Sequence, residues 1–242
     1  MIKKSIKNVI SQQHRRWPMP LALFDRVFRS KLGKRLLSPY GQVCFETAYH
    51  EFRMRNGNLN YWMSRESLYW HFWRQTDPTP EPIRQLRSRI PALNDPNLTA
   101  AELGFGIGKN RYLHPELFPF RRYIGVEPNP HCVEVARRRS PEVELICADS
   151  RSAETLEVDV LFVFGGVLMY QESADIDRMF RSLSRLRALV ILDEGADADW
   201  VREDRTTMYN FRSRLEAHGC ASRNFYVEKQ ADRPIHRIFA MW

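Results

Sequence analysis

Residues 98–110 read LTAAELGFGIGKN, and this stretch decides the fold. An apolar run ends in three glycines at alternate positions, Gly104, Gly106 and Gly108, which is the pattern of a buried strand that breaks into a tight turn. Glycine suits such a turn because it adopts backbone angles that other residues avoid and lets the main chain approach a ligand closely. The residues from Lys109 onward have the pattern of a helix start, whose free backbone N–H groups would face the same ligand. The stretch therefore predicts a ligand site.

The spacing of the glycines narrows the kind of ligand. A P-loop needs four residues between its glycines and then Gly-Lys-Ser/Thr, whereas this chain has Gly108, Lys109 and Asn110. A dinucleotide fingerprint has the form G-x-G-x-x-G, and here the third glycine comes one residue early. Because Glu102 precedes the first glycine by two residues, the full pattern is E-x-G-x-G-x-G. On this motif alone, a plain turn or another nucleotide loop remains an alternative.

Four more apolar runs predict strands of one parallel sheet. Strands over 123–126 and 143–148 stop at the carboxylates Glu127 and Asp149. Strands over 158–164 and 188–192 stop at a Gly-Gly pair and at two acids. Because the carboxyl ends of parallel strands meet at one edge of the sheet, where ligands bind in open α/β folds, we expect these residues to lie near the glycine turn. Acids after strands are also common as helix caps, which is the alternative for Glu127 and Asp149 singly.

From residue 98 to the end of the chain, this order of strands, turn and acids resembles class I S-adenosylmethionine-dependent methyltransferases. Two apolar runs over 221–228 and 235–241 are separated by a loop too short for a crossover helix, so they predict an antiparallel hairpin. Such a tail is similar to the last two strands of that family. The resemblance implies an α/β, Rossmann-like, seven-stranded and mostly parallel sheet with an antiparallel terminal hairpin strand, helices on both faces, and S-adenosylmethionine as cofactor.

The resemblance also implies which residues bind the donor. The glycines would approach its methionine part, with Glu102 orienting the amine through the turn. Glu127 would hold the ribose and Asp149 the adenine amino group, with Ser150 beside the ring. The predicted donor-binding set is Glu102, Gly104, Phe105, Gly106, Gly108, Glu127, Asp149, Ser150 and Gly165.

The sequence constrains the choice of catalytic residues less than it constrains the donor-binding residues. Residues 163–170, VFGGVLMY, resemble the fourth-strand segment of small-molecule and sugar-modifying members of the family, with Tyr170 in the place of a histidine. Methyl transfer from a sulfonium is an in-line displacement that needs a base only when the acceptor is a hydroxyl. The predicted catalytic residues are Tyr170, Glu194 and His71, with Asp193 and His50 as further candidate bases. Two adjacent acids without a third spaced ligand are typical of a strand end, so no metal is predicted.

Two absences limit the acceptor. No Asp/Asn-Pro-Pro-Tyr/Phe segment follows the fourth strand, so the sequence lacks the clamp that the resemblance would imply for methylation of adenine or glutamine amino groups. Cys132 and Cys147 lie at a predicted helix start and within a predicted strand, which disfavours a cysteine nucleophile for pyrimidines. The four cysteines show no C-x-x-C and indicate reduced core residues in a reducing, cytoplasmic compartment.

Charge and aromatic residues divide the rest of the chain. The composition, 43% hydrophobic and 27% charged, is that of a globular protein. Residues 1–35 carry ten Lys and Arg against one acid, Asp25, while the remainder is nearly neutral, so the positive charge is an arm. Its periodicity predicts one basic amphipathic helix over 21–37, laid on the body or in contact with a membrane surface or an anionic substrate. Residues 38–91 hold ten of the 29 aromatic residues and predict a helical cap, used for packing or for enclosing an acceptor.

The predicted division is therefore a basic arm (1–37), a helical cap (38–91) and a methyltransferase domain (92–242). The predicted function is methyl transfer to a small-molecule or glycan acceptor, at oxygen. Three alternatives remain open: a methyltransferase for RNA or an anionic lipid-linked substrate, a non-catalytic methyltransferase-like interaction module, and a dehydrogenase. Nucleic acid is the less favoured partner because the cationic residues lie in the arm and not over the predicted site face.

Overall fold

The computed structural model of the 242-residue chain describes residues 8–14, 19–56, 58–74, 80–183, 186–192, 196, 198–202, 206–219, 225–229 and 236–241. Residues 8–14 are helical. Four helices follow in the N-terminal part: α1 (Leu21–Arg29), α2 (Lys31–Asn56), α3 (Asn58–Trp62) and α4 (Leu68–Arg74). A single 3-10 turn, Arg65–Ser67, lies between α3 and α4.

The C-terminal part is built on a twisted sheet. Its helices are α5 (Pro80–Arg89), α6 (Lys109–Leu113), α7 (Pro130–Arg139), α8 (Ser173–Ser182) and α9 (Phe211–Ala217). Its strands are β1 (Thr99–Leu103), β2 (Arg122–Val126), β3 (Glu144–Ile146), β4 (Val160–Phe164), β5 (Ala188–Leu192), β6 (Trp200–Val201), β7 (Thr207–Met208), β8 (Phe225–Lys229) and β9 (His236–Met241). The order across the main sheet is β3-β2-β1-β4-β5-β9-β8, with β1 to β5 parallel. Strand β9 pairs antiparallel with both β5 and β8.

Alternation along the strands builds a core on each face of this sheet. In β1, Ala101 and Leu103 pack with α8 and α9 in one cluster of buried residues. Ala100, the neighbour of Ala101, packs in a second cluster with α5 and the aromatic residues of β2 and β4. Because successive strand residues point to opposite faces, this division is what a sheet covered by helices on both sides requires.

The predicted Rossmann-like α/β fold with a parallel sheet and flanking helices is confirmed at that level. The parallel part has five strands, and a separate two-stranded antiparallel sheet, β6–β7, was not predicted. The third strand ends at Ile146, so the prediction that Cys147 lies within it was wrong, and that side chain is exposed. Cys44 and Cys132 are buried and unpaired, as expected for reduced cysteines, while Cys220 lies outside the described residues.

The basic arm is not one helix. Helix α1 ends at Arg29, and Ser30 has an extended backbone, so the single apolar face predicted over 21–37 is wrong. Phe24 and Phe28 are fully buried, whereas Leu32 and Leu36 lie beyond the break and are exposed. Helix α2 runs on through Pro39, so the predicted arm–cap boundary at residue 37 falls within it. The domain division stays a prediction. None of the described helices combines the length and apolar character that crossing a membrane requires.

Candidate active site at the glycine turn

The glycine turn has the backbone that its sequence predicts. Gly104, Gly106 and Gly108 have φ of 70°, 56° and 74°, the left-handed region that residues with a side chain avoid. The Phe105 side chain is buried beneath the turn, and its ring packs over Gly125 of β2, where an added Cβ would lie 2.6 Å from the ring. The aromatic ring thus packs against the turn, while Val167 and His71 occupy the space that side chains at Gly104 and Gly106 would need.

Glu127 reaches the turn from the end of β2. The backbone N–H of Gly106 donates to its Oε2 at 2.8 Å, and the N–H of Asn129 donates to its Oε1 at 2.9 Å. Burial raises the pKa of Glu127 to about 7, against these two hydrogen bonds, which favour the ionised form. A carboxylate oxygen accepts more than one hydrogen bond, so Glu127 keeps acceptor capacity beside the turn, as binding ribose hydroxyls requires.

Glu102 lies under the turn. Its carboxylate is buried and accepts hydrogen bonds from the Tyr123 hydroxyl at 2.8 Å and the Asn110 amide at 3.1 Å. Burial raises the pKa of Glu102 to about 7, although Lys109 and the two donors oppose the rise. These partners tie β1 to β2 and to the start of α6, so the contacts of Glu102 hold the turn in place.

The third predicted acid is more exposed. Asp149 accepts a hydrogen bond from the backbone N–H of Arg151 at 3.0 Å and caps the 3-10 turn Ser150–Thr155. The Arg151 guanidinium also bonds this carboxylate and lowers its pKa. Ser150 is buried, and Gly165, at the end of β4, has φ of 73° with open space where a Cβ would stand. Left-handed glycines, a buried carboxylate and an open strand end together fit a bound nucleoside.

His71 of the cap lies directly against the turn. A Cβ added at Gly106 would stand 2.8 Å from His71 Cε1, so the imidazole occupies the space that a side chain at this position would need. The ring is packed edge-on to Trp70 with centroids 5.1 Å apart. Burial, with the nearby cations Lys109 and Arg139, lowers the pKa of His71 to about 3. The imidazole is therefore neutral at physiological pH.

Tyr170 joins the sheet edge to the cap. It closes the 3-10 turn Leu168–Tyr170 after β4, and its hydroxyl accepts a hydrogen bond from the indole N–H of Trp62 at 2.7 Å. The Trp62 ring in turn packs edge-on against Trp70, with centroids 5.4 Å apart. Two of the predicted catalytic residues, Tyr170 and His71, are thus linked through two tryptophans.

Asn129 was not singled out in the sequence, yet it fastens the cap to the body. Its Oδ1 accepts from the backbone N–H of His131 and caps α7. Its amide nitrogen lies 2.7 Å from the Trp62 carbonyl and 2.8 Å from the Ser64 carbonyl, and it donates to both. The pattern Asn-Pro signals a helix start, whereas a local signal for the contacts with the cap is absent from the sequence.

The remaining candidate bases either are exposed or lie outside the described residues. His50 is exposed and contacts the ring of Tyr49. Asp193 and Glu194 lie outside the described residues, so their roles stay predictions. Within the described ranges, His, Cys, Asp and Glu side chains form no group of three that could hold a metal ion.

Comparison with known proteins shows what this part of the chain is similar to. Residues 100–188 match the family model described as a methyltransferase domain. No curated protein matches the sequence. Among solved structures, the chain is similar to an S-adenosylmethionine-bound amino pentose methyltransferase, CalS10, from Micromonospora echinaspora, at 15% identity and a TM-score of 0.54 over 72% of this chain and 96% of that one.

Two further solved structures are similar in fold to this chain. A SAM-dependent methyltransferase from Leishmania major is 18% identical with a TM-score of 0.55, and the match covers 82% of each chain. The sugar N-methyltransferase KedS8 from Streptoalloteichus is 17% identical with a TM-score of 0.50 over 72% of this chain and 91% of that one. At these identities the structures show the fold, and the domain match adds the enzyme class. The predicted resemblance to class I methyltransferases is therefore confirmed, and so is the predicted enzyme class, an S-adenosylmethionine-dependent methyltransferase.

Proposed function

We propose that this S-adenosylmethionine-dependent methyltransferase acts on a hydroxyl group of a small-molecule or glycan acceptor, held between the glycine turn and the aromatic cap. The observation that carries the proposal is the hydrogen bond between Trp62 and Tyr170. It joins residues 108 positions apart in sequence and closes the cap over the edge of the sheet where the donor would lie. Aromatic side chains with a few oriented polar groups are typical of the lining of a site for a small ligand.

The donor fits along the turn. The methionine part would lie against the glycine backbone, and the ribose would lie within reach of Glu127. Asp149 and Ser150 would flank the adenine at the end of β3. This placement directs the sulfonium methyl toward His71 and Tyr170, where the acceptor enters.

The reaction then depends more on alignment of the acceptor with the sulfonium methyl group than on general acid–base catalysis. The acceptor oxygen attacks the methyl carbon in line with the sulfur, the carbon–sulfur bond breaks with its electron pair going to sulfur, and the hydroxyl proton leaves to water or a base. Since the low pKa of His71 keeps its imidazole unprotonated, we assign it to accept a hydrogen bond from the acceptor hydroxyl. Trp62 fixes the direction of the Tyr170 hydroxyl, so the phenol would orient the acceptor from the opposite side.

An amino group on a sugar is the second candidate acceptor. Two of the similar structures are an amino pentose methyltransferase and a sugar N-methyltransferase. The same cleft would align an unprotonated amine without any further protein group.

The test has two stages. Calorimetry first measures S-adenosylmethionine binding, since an interaction module that has lost the chemistry would not bind it. Transfer of a labelled methyl group is then measured on sugar pairs that differ only in a hydroxyl or an amino group. Labelled hydroxyl sugars support the proposal, and labelled amino sugars alone support the second candidate. Labelling of RNA in place of either sugar would refute both.

Tyr170→Phe tests the role of the hydrogen bond between Trp62 and Tyr170. It removes the oxygen that Trp62 binds, and we expect kcat/KM to fall about threefold to tenfold, which is the net value of one hydrogen bond. Tyr69→Phe is the matched control, because that hydroxyl donates to the Met19 carbonyl at 2.8 Å, on the arm side of the cap. Equal effects of the two changes would contradict a role for Tyr170 in the site.

A further inference from the structure

The first turns of α2 carry an apolar face that the described part of the chain leaves open. Leu32 and Leu36 are 67% and 68% exposed. They are four residues apart, so their side chains lie on the same side of the helix, and we call them the leucine face. Single exposed leucines are ordinary, but two stacked on one helix turn form a small hydrophobic surface.

The charges around the leucine face are positive. Arg35 is exposed beside it, and Arg26 and Arg29 are exposed on α1, the helix just before it. The one acid among residues 1–35, Asp25, is held by Arg139 of the body and by Arg29, each at 2.5 Å. Arg29 is therefore paired with Asp25, and the exposed charges that remain beside the leucine face are those of Arg26 and Arg35.

The opposite side of the same turns carries Lys34. Lys34 is two residues from each leucine, which places it across the helix, and it is half-buried. Burial, with Arg74 and Lys109 nearby, lowers its pKa to about 8. Since Lys109 directly follows the last glycine of the turn, the side of α2 that carries Lys34 lies toward the glycine turn and the leucine face lies away from it.

We propose that the leucine face docks on an anionic lipid surface, with Leu32 and Leu36 in the headgroup region and the arm's arginines against lipid phosphates and carboxylates. Charge complementarity selects this partner: a second copy of the chain would bring like charges together, and a nucleic acid would leave the leucines uncovered. An amphipathic helix with leucines on one side and cations beside them is what binds a bilayer surface without crossing it. The docked chain would hold the glycine turn on the side of α2 that faces away from the membrane.

Vesicle sedimentation tests the proposal on the full chain. We expect binding to vesicles of phosphatidylcholine with phosphatidylserine, little binding to phosphatidylcholine alone, and a loss of binding at high salt. The double variant L32Q/L36Q should weaken binding at least about tenfold, since it removes the apolar anchor. Arg35→Gln should weaken it about fivefold, the value of one cation near an anionic surface.

A matched control is present at the far end of α2 and the start of α3. Met54 is 85% exposed and Leu59 is 51% exposed, outside the basic arm. The double variant M54Q/L59Q removes as many exposed apolar side chains, and we expect vesicle binding to stay unchanged. Melting temperatures of both double variants confirm that each is folded.

Three outcomes would overturn the proposal. The first is equal binding of the unaltered chain and L32Q/L36Q to anionic vesicles. The second is an absence of vesicle binding together with salt-dependent binding of single-stranded RNA, which would assign the arm to nucleic acid. The third is a dimer in solution that L32Q/L36Q converts to a monomer, which would assign the leucine face to a second copy.

Discussion

Gly106→Ala tests the contact between the cap and the glycine turn. Two separate costs are expected at this position. The φ of 56° is strained for any residue with a side chain, which costs about 1–2 kcal/mol. The new methyl group would also stand 2.8 Å from His71 Cε1, and overpacking of this kind costs about 1–3 kcal/mol. The two together predict a loss of about 2–5 kcal/mol of unfolding free energy in the absence of the donor.

Gly165→Ala is the control that isolates the first cost. Gly165 has φ of 73°, and no atom lies within 4 Å of the place where its Cβ would stand. We therefore expect only the backbone strain, about 1–2 kcal/mol. In a chain of this size, each kcal/mol lowers the melting temperature by about 2–4 °C, so thermal unfolding resolves the two variants.

A double-mutant cycle with His71→Ala isolates the second cost. Without the imidazole, the methyl group of Gly106→Ala meets open space, and its cost should fall to that of Gly165→Ala. The coupling between positions 71 and 106 should be about 1–3 kcal/mol, as for other residues in contact. Additive effects, with a coupling below about 0.5 kcal/mol, would show that the cap does not rest on the turn in solution.

Two more changes test the buried polar groups. In the folded state Glu102 binds its proton up to a pKa of about 7, whereas the unfolded chain releases it near 4.5, so stability should fall as pH rises through that window. The loss from this group is at most about 3 kcal/mol, so Glu102→Gln should reduce the fall of the melting temperature between pH 4.5 and 7. Part of the slope should remain because Glu127 has a similarly raised pKa of about 7, and a slope equal to that of the parent would contradict the assignment. Asn129→Asp keeps the oxygen that caps α7 but removes the amide donors that hold the cap, so we expect faster donor dissociation in stopped-flow measurements with α7 intact by circular dichroism. Unchanged dissociation would show that these donors do not hold the cap closed.

Local patterns in the sequence were sufficient to predict the glycine turn and the residues at which the strands end. Three alternating glycines require left-handed backbone, and Glu127 follows its strand at the position that brings it to the turn. The implied role of Glu102 in orienting the donor amine stays a prediction, because its observed partners are Tyr123 and Asn110. A carboxylate in a strand can point to either face, and period-two alternation alone does not say which polar groups it will meet there.

Contacts between distant segments were not predictable. His71 meets Gly106 because α4 packs on the glycine turn, and that packing depends on the buried cluster that joins the cap, α1 and α7. The helix break at Ser30 was missed because serine carries no strong signal for a helix end, unlike glycine or proline. In both cases tertiary packing, and not local propensity, decides the outcome.

The hydrogen bonds of the Asn129 amide also contribute to how often the cap opens. Its two N–H groups hold the carbonyls of Trp62 and Ser64, and exchanging both for water costs about 1–3 kcal/mol. Because opening the cap would also expose the buried cluster that joins it to α7 and break the Trp62–Tyr170 hydrogen bond, this cost is a lower bound, and the open population would be below about one molecule in five. Exchange of spent donor for fresh donor would be limited by that small population. The turnover rate would then depend in part on the hydrogen bonds of Asn129, a residue outside the predicted donor-binding and catalytic sets.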